Sequence, residues 1–520
     1  MKTIKGLILG SAAGLLAAGG AQAADLPVKA KAVEYVRICS LYGAGFFYIP
    51  GTDTCIKLGG YLRVDTTFNG SGTQDAPAWN GDSGLGDRYK NFSVTRSRLA
   101  LTVDTRTATE YGVVRTFGQA DFQFDTLGNG SFNPNGLATN LGNNGNLLNT
   151  PSGGYTAVEM GFIQFAGFTF GRSASAFATP WEGYPGNNSS SLIGGHDDVT
   201  GTNNIQYTAQ FGNGVSGTIG LDDPTVYNRT ALYNTSIGIG AVGTSGNAYA
   251  GVEMPDIVGN IRVDQAWGLF QLSGVLHQVD GSYNSLTAET AQPTTLSAIS
   301  GHPESKYGGA VMAAVQIKNI PTGAGDDIKF DATYAKGDTK EVISTSSTSP
   351  NFLMAGGSLG QFGPTGSIAF GATTDGVYAP VGFQGSTDGG IHLTSAYGLR
   401  GAFNHNWDPY WSSSLFGGMG WVRYDATAQA EYCAAYGATV AGRGVSYTCN
   451  PNYSISELGF ITRWTPVKNL TFSAETIWTH FNTGFTGSAT FSPGAPLPVA
   501  TYSFKSQDTV SFNVRAQRNF

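Results

Sequence analysis

Asp508-Thr-Val-Ser-Phe-Asn-Val-Arg-Ala516 decides the fold class. Val510, Phe512, Val514 and Ala516 fall on one side of the chain; Ser511, Asn513 and Arg515 fall on the other. A period of two marks a strand with one apolar and one polar face. The pattern recurs in 55–68, where Ile56, Leu58, Leu62 and Val64 oppose Lys57, Tyr61, Arg63 and Asp65. In 327–334, Ile328, Phe330, Ala332 and Tyr334 oppose Lys329, Asp331 and Thr333; near 257–264, Ile257, Ile261 and Val263 oppose Asn260, Arg262 and Asp264. In a soluble sandwich the apolar face would meet a second sheet. In an outer-membrane barrel it meets lipid, and the polar face lines a wet lumen.

The number and linkage of such segments favour the barrel. Sixteen are readable: 55–68, 91–106, 109–124, 156–166, 168–173, 203–211, 215–221, 257–266, 268–280, 306–318, 327–337, 391–406, 410–425, 453–465, 469–482 and 507–520. Short links such as Thr107-Ala108, Gly167, Trp267 and Pro466–Lys468 alternate with long ones such as 69–90, 125–155, 338–390 and 483–506. One end of the barrel therefore carries turns and the other carries large loops, with both chain ends on the turn side. Sixteen strands leave room for an aqueous channel, whereas about eight would be filled by side chains. Tyr410, Trp411, Trp421, Tyr424, Trp464 and Trp478 cluster near strand ends, where interfacial girdles belong. No helix is readable along the chain. The long connections, such as 126–155 with its Gly and Asn and 341–390 with its Ser, Thr and Gly, read as external loops rather than linkers.

Composition agrees. Of 520 residues 41% are hydrophobic and only 12% charged, against about 25% charged in soluble proteins. The 74 glycines follow no G-x-y period, which excludes collagen, and 30 Phe, 24 Tyr and 8 Trp exclude a disordered chain. With 29 basic and 36 acidic residues, nothing points to nucleic acid as a partner. Residues 1–23 read as an export signal: Lys2 and Lys5, an apolar stretch from Leu7 to Leu16, then Ala21-Gln22-Ala23. Cleavage before Ala24 removes two lysines and no acids, leaving 27 basic and 36 acidic groups, net −9. Beyond Ala24 no apolar run approaches the roughly 18–20 residues of a spanning helix.

Cys39, Cys55, Cys433 and Cys449 form two pairs with equal spacing of 16. In an exported chain this favours local disulfides Cys39–Cys55 and Cys433–Cys449 among three connectivities. Six scattered histidines offer no metal-ligand spacing. Gly238-Ile-Gly240-Ala-Val-Gly243 matches a dinucleotide fingerprint with no helix after it, and Gly356-Gly-Ser358-Leu-Gly360 matches a nucleophile elbow inside a Gly/Ser stretch. No catalytic, metal or cofactor site is expected.

The stretch Cys39-Ser-Leu-Tyr-Gly-Ala-Gly-Phe-Phe-Tyr-Ile-Pro-Gly-Thr-Asp-Thr-Cys55, followed by Ile-Lys-Leu-Gly-Gly-Tyr-Leu-Arg63, resembles the opening of the alphaproteobacterial porin family. Gly161-Phe-Ile-Gln-Phe-Ala-Gly-Phe-Thr-Phe-Gly-Arg172, Pro255-Asp-Ile-Val-Gly-Asn-Ile-Arg-Val-Asp-Gln-Ala-Trp-Gly268 and Val514-Arg-Ala-Gln-Arg-Asn-Phe520 are similar to further signatures of it. The resemblance implies an all-β fold: a 16-stranded antiparallel transmembrane barrel with short periplasmic turns, long external loops and an inward-folded third loop. It implies a trimer in the outer membrane of a Gram-negative bacterium that passes small hydrophilic solutes and ions by diffusion. Outer-membrane lipid, lipopolysaccharide and the barrel assembly machinery are the implied partners, with terminal Phe520 as the assembly signal.

On this reading 24–54 is a periplasmic-side segment, 55–520 the barrel and 174–202 the constriction loop. The loop carries Glu182, Asp197 and Asp198; alternation places Arg63, Arg96, Arg98, Arg106 and Arg115 on the facing wall, with Arg172 at the loop's departure point. Opposed acidic and basic rims would set up a field across the pore. A substrate-selective channel, and a surface adhesin or receptor built on a barrel, are the alternatives.

Overall fold

The computed structural model describes residues 37–69, 93–125, 131–132, 138–140, 155–181, 183–188, 192–196, 201–225, 229–237, 247–285, 298–343, 352–358, 365–383, 386–440, 446–491 and 499–520. The expected export signal, 1–23, lies outside them. Met1–Ile56 and Lys57–Phe520 are separate compact units. In the first, the Cys39–Cys55 disulfide is formed, Phe47 and Tyr48 pair with Ile56 and Cys55, and Tyr42, Phe46 and Tyr48 pack around the cystine.

Sixteen antiparallel strands form one closed sheet: β1 Thr54–Phe68, β2 Ser93–Thr109, β3 Gly112–Asp125, β4 Tyr155–Phe165, β5 Phe168–Ser173, β6 Thr202–Gly212, β7 Val215–Asp222 and β8 Asp256–Gln265. The second half comprises β9 Gly268–Val279, β10 Lys306–Lys318, β11 Asp327–Lys336, β12 Ser395–Asn406, β13 Trp411–Arg423, β14 Tyr453–Val467, β15 Leu470–Thr483 and β16 Gln507–Asn519. Each segment read from the sequence is a strand, with ends shifted by a few residues. β16 returns to β1, setting Ala516 opposite Val64 and Phe512 opposite Phe68, and closure removes both sheet edges.

Burial decides between sandwich and barrel. On β11, Ile328, Phe330 and Tyr334 are 40%, 42% and 40% exposed, while Asp331 and Thr333 are 0% and 4% exposed. The same inversion holds on β16, where Val510, Phe512 and Val514 are exposed and Ser511, Asn513 and Arg515 buried. An apolar exterior of this extent is stable only against hydrocarbon. Short turns are built for hairpins: Ala166 and Gly167, with φ of 50° and 87°, join β4 to β5 in the doubly left-handed conformation that matches strand twist.

The long connections are more ordered than their composition suggests. Three short strands, Ala231–Asn234, Thr374–Tyr378 and His392–Leu393, form one small sheet. Phe352–Ser358, Thr365–Gly371, Ala500–Phe504, Thr486–Phe491 and Ser446–Thr448 form another. Tyr233, Phe352, Phe370, Tyr432, Tyr436, Phe485 and Phe504 are buried together among them. Each connection contributes only one or a few of these rings, so no single segment reads as a core. The expectation of no helix fails: α1, Ala426–Val440, occupies the connection after β13. Ala supplies the strongest helix propensity, and the Asp425 carboxylate caps the first turn by accepting the Ala428 N–H at 2.8 Å. The Cys433–Cys449 disulfide staples this helix to the chain returning toward β14. Tyr424, expected in a girdle, is instead buried with α1, its hydroxyl donating to the Ala372 carbonyl at 2.6 Å. Trp411 and Trp464 keep the girdle position, exposed with their rings stacked at 5.9 Å.

Gly356 and Ser358 pair with Ser367 and Thr365 in a plain antiparallel ladder, and 238–246, which holds the glycine fingerprint, lies outside the described residues.

Candidate pore constriction

The polar phase of β1–β4 brings an arginine-rich wall together. Arg63 and Asp65 share one phase of β1; Arg96, Arg98, Asp104 and Arg106 share one phase of β2. Asp65, fully buried, is the hub: Arg96 Nη2 lies 3.0 Å and Arg63 Nε 3.8 Å away, and Arg515 Nε donates to its Oδ1. Arg98 pairs with Asp121 at 2.8 Å and reaches Glu159 at 4.0 Å. Arg106 and Arg115 both pair with Asp104 at 3.0 Å, close to the Thr109–Gly112 turn. The wall is basic, but its acids are built in.

Arg172 stands apart. It is one residue out of phase with Thr169 and Ser173, which line the lumenal cavity, and its Nε donates to the Glu159 carbonyl at 3.1 Å. No described ion pair joins it to the Asp65 hub.

Glu159 reaches the wall because the register of β3 against β4 shifts between Gln119 and Ala120, pairing them with Met160 and Val158. The extra residue is Glu159, and beyond it the outward phase changes parity, from Ile163 to Val158. A bulge of this kind re-aims a side chain and escapes alternation counting.

The connection after β5 folds into the lumen, as expected of the third long loop. Its carbonyls at Ala176 and Ala178 accept Asn260 Nδ2 and Gln271 Nε2 at 2.7 and 2.6 Å. Farther along, Asn404 Nδ2 donates to the Pro185 carbonyl at 3.1 Å, and Arg463 donates to the Gly186 carbonyl. The Asn188 and Ile193 amides donate to Glu475 and Glu457 at 2.5 and 2.9 Å. Arg515 Nη1 donates to the Asn188 carbonyl at 3.2 Å, and Arg400 Nη1 to the His196 carbonyl at 2.9 Å. Leu192 is buried against Ala402, Phe416, Ile461 and Ile477. The loop is thus fastened to β8, β9 and β12–β16 by buried and half-buried side chains of those strands. Glu182, Asp197 and Asp198 lie outside the described residues.

Sequence reasoning missed Arg400, Arg463, Glu457 and Glu475, the fasteners. The signal was present: each is a charge within a strand whose other face is apolar. Which of them touch the loop depends on where the loop crosses, which alternation does not encode.

Beside the entering loop a cavity of ≈ 890 Å³ is lined by Arg115, Gln119, Gln206, Asn260, Arg262 and Gln271. Phe117, Met160 and Phe162 also line it, but amide, hydroxyl and guanidinium groups predominate, a surface suited to hydrated solutes.

A profile for a porin subfamily matches residues 25–513. Porin Omp2b of Brucella abortus is 36% identical over 299 residues, spanning 55% of this chain and 68% of that protein. Porin Omp2b of Brucella canis is 35% identical over 304 residues, with the same coverage. Among solved structures, the outer membrane channel DcaP of Acinetobacter baumannii superposes with a TM-score of 0.55 at 13% identity, covering 91% of this chain and 99% of that one, and this likeness supports the barrel fold. A closed sixteen-strand barrel with an apolar exterior, a polar lumen and a porin match over nearly its whole length makes this chain a member of the porin family, an outer-membrane channel for passive diffusion.

Proposed function

We propose that small hydrophilic solutes and ions pass between the inward loop 174–202 and the β1–β4 wall, with Arg63, Arg96 and Arg98 at the narrowest level. Arg106 and Arg115 sit nearer the periplasmic rim. Glu182, Asp197 and Asp198 supply the opposing charge. The observation that carries this reading is the fastening of the loop to β8, β9 and β12–β16. A loop held on that side comes down beside the Asp65 hub at Asn188, through Arg515, and stands across from the arginines farther along β2 and β3. A transverse field then orients dipolar solutes and disfavours apolar ones.

The channel works as a general diffusion pore in a homotrimer surrounded by lipid and lipopolysaccharide. Residues 1–23 are removed on export, 24–54 stay on the periplasmic side, and Phe520 is read by the assembly machinery. Conductance of the purified protein in a planar bilayer tests the reading. Ohmic steps that scale with salt and show no saturable block by any one solute are expected. Saturable, solute-specific block would establish a substrate-selective channel instead, and no conductance would leave an adhesin or receptor.

A further inference from the structure

Asp388, His392 and Glu431 belong to two external connections, those before β12 and after β13, and their side chains converge. His392 Nε2 lies 3.3 Å from Asp388 Oδ1 and 4.0 Å from Glu431 Oε1, and one ligand atom from each residue lies within 4.8 Å of the other two. Two of the three are held rigidly. His392 pairs with Val377 in the small sheet, and Glu431 stands on α1 two residues before the Cys433–Cys449 staple. Asp388 is the adjustable partner, with its side chain 59% exposed. Gly389, at φ 67°, turns the chain between Asp388 and His392, and a Cβ there would meet Val381 Cγ2 at 2.9 Å.

Glu431 is the anomaly. Its side chain is 2% exposed, yet neither carboxylate oxygen has a hydrogen-bond partner among the described residues. Burial raises its pKa, offset in part by the nearby Ser386 hydroxyl and by His392. The Ser386 hydroxyl also reaches the Ala379 carbonyl at 3.1 Å, so its single proton is contested by two acceptors. A buried carboxylate without a partner is costly. A cation bound by all three residues would remove that cost.

We propose that Asp388, His392 and Glu431 form a binding site for a divalent transition metal of the zinc class, clamping the 379–394 connection to α1. The imidazole nitrogen disfavours Mg²⁺ and Ca²⁺, which take oxygen ligands, and favours zinc-like ions. A four-coordinate zinc with ligands at about 2.0–2.2 Å separates its ligand atoms by about 3.3–3.6 Å. The observed spacings need a closure of about 1.5 Å at most, which the exposed Asp388 arm can supply.

Titration of the intact, purified protein with ZnCl₂, read by calorimetry and by metal content after dialysis, tests this. The expected result is one tight zinc per chain that survives an excess of Mg²⁺ and Ca²⁺. Glu431→Gln keeps the shape and removes the ligand charge, and Asp388→Asn changes an exposed residue, so both should fold. Each should weaken zinc binding at least tenfold, with His480→Gln, at the exposed His480–Asp508 pair, leaving it unchanged. Zinc binding equal in the wild type and in Glu431→Gln, displacement of zinc by equimolar Ca²⁺, or no tight zinc at all in the wild type would each overturn the proposal.

Discussion

Replacing Asp65 by Asn tests how the wall is held and what it does to passing ions. Asp65 has no exposed surface and faces three guanidinium groups, from Arg63, Arg96 and Arg515. Two of these come from strands other than β1, and the Arg515 contact crosses the β1–β16 seam, where the two residues are directly opposite. Asn keeps the volume and removes the charge. Breaking a buried pair costs about 3–5 kcal/mol when the remaining charge stays uncompensated. Arg63 and Arg515 keep side-chain exposures of 15% and 8% toward the lumen, so the low end, about 3 kcal/mol, is expected.

A cycle with Arg515→Gln isolates the seam contact. The double variant should recover about 1–3 kcal/mol of the summed single losses, as coupled neighbours do. The same change adds one positive charge to the wall. At about 8 Å from the ion path, that charge acts with about 0.5 kcal/mol in bulk water and about 2 kcal/mol at an effective dielectric near 20. Anion permeability should therefore rise by about twofold to thirtyfold and cation permeability fall correspondingly, most at low salt, since the Debye length shrinks from about 10 Å at 0.1 M to about 3 Å at 1 M. Heat- and denaturant-induced unfolding of the detergent-solubilised protein reads the first effect, and the reversal potential across a salt gradient reads the second. An Asp65→Asn barrel as stable as the wild type, with an unchanged reversal potential, would refute the hub.

Deleting Phe520 removes two backbone bonds to Gly60, at 3.0 and 3.2 Å, and should lower the yield of heat-resistant assembly on gels more than two exposed bonds account for. The triple change Glu182→Gln, Asp197→Asn, Asp198→Asn should move the reversal potential toward anions while leaving unfolding unchanged, because the strand ladders are untouched. Replacing Cys433 and Cys449 by Ser opens a loop of 16 residues; about 3 kcal/mol of local stability should be lost, seen as faster hydrogen exchange in Ala426–Val440 with barrel strands unaffected. Asp338, in the connection after β11, is fully buried with neither oxygen bonded among the described residues, and burial followed by Glu341, Asp256 and Asp375 holds its pKa well above the usual range. The unfolded carboxyl ionises near pH 4, so this group's contribution falls as pH rises from there toward its raised folded pKa. Asp338→Asn should flatten that loss and raise the melting temperature at pH 7, which a pH series of melting curves would show.

The strand count, the barrel, the alternation of short and long connections and both disulfides were legible in the sequence, because each depends on local pattern. Side-chain period two is fixed by backbone geometry, and cystines 16 residues apart close local loops. The low charge content likewise announced an exterior that is not water. What the sequence concealed arises from contacts between distant segments. Arg400, Arg463, Glu457 and Glu475 look alike as inward charges until the third loop crosses above them. Glu159 enters the wall only through a one-residue register shift that alternation cannot locate. The aromatic core of the external connections draws single rings from segments that are individually Ser-, Thr- and Gly-rich, so its burial exists only once the barrel has gathered their ends. Helix α1 is the exception that was locally encoded, by Ala propensity and the Asp425 cap, and a period-two search passes over it. Pattern along one strand is a property of the chain. Which charges face one another across a lumen is a property of closure, since only the pairing of β16 with β1 brings Arg515 to Asp65, 450 residues away.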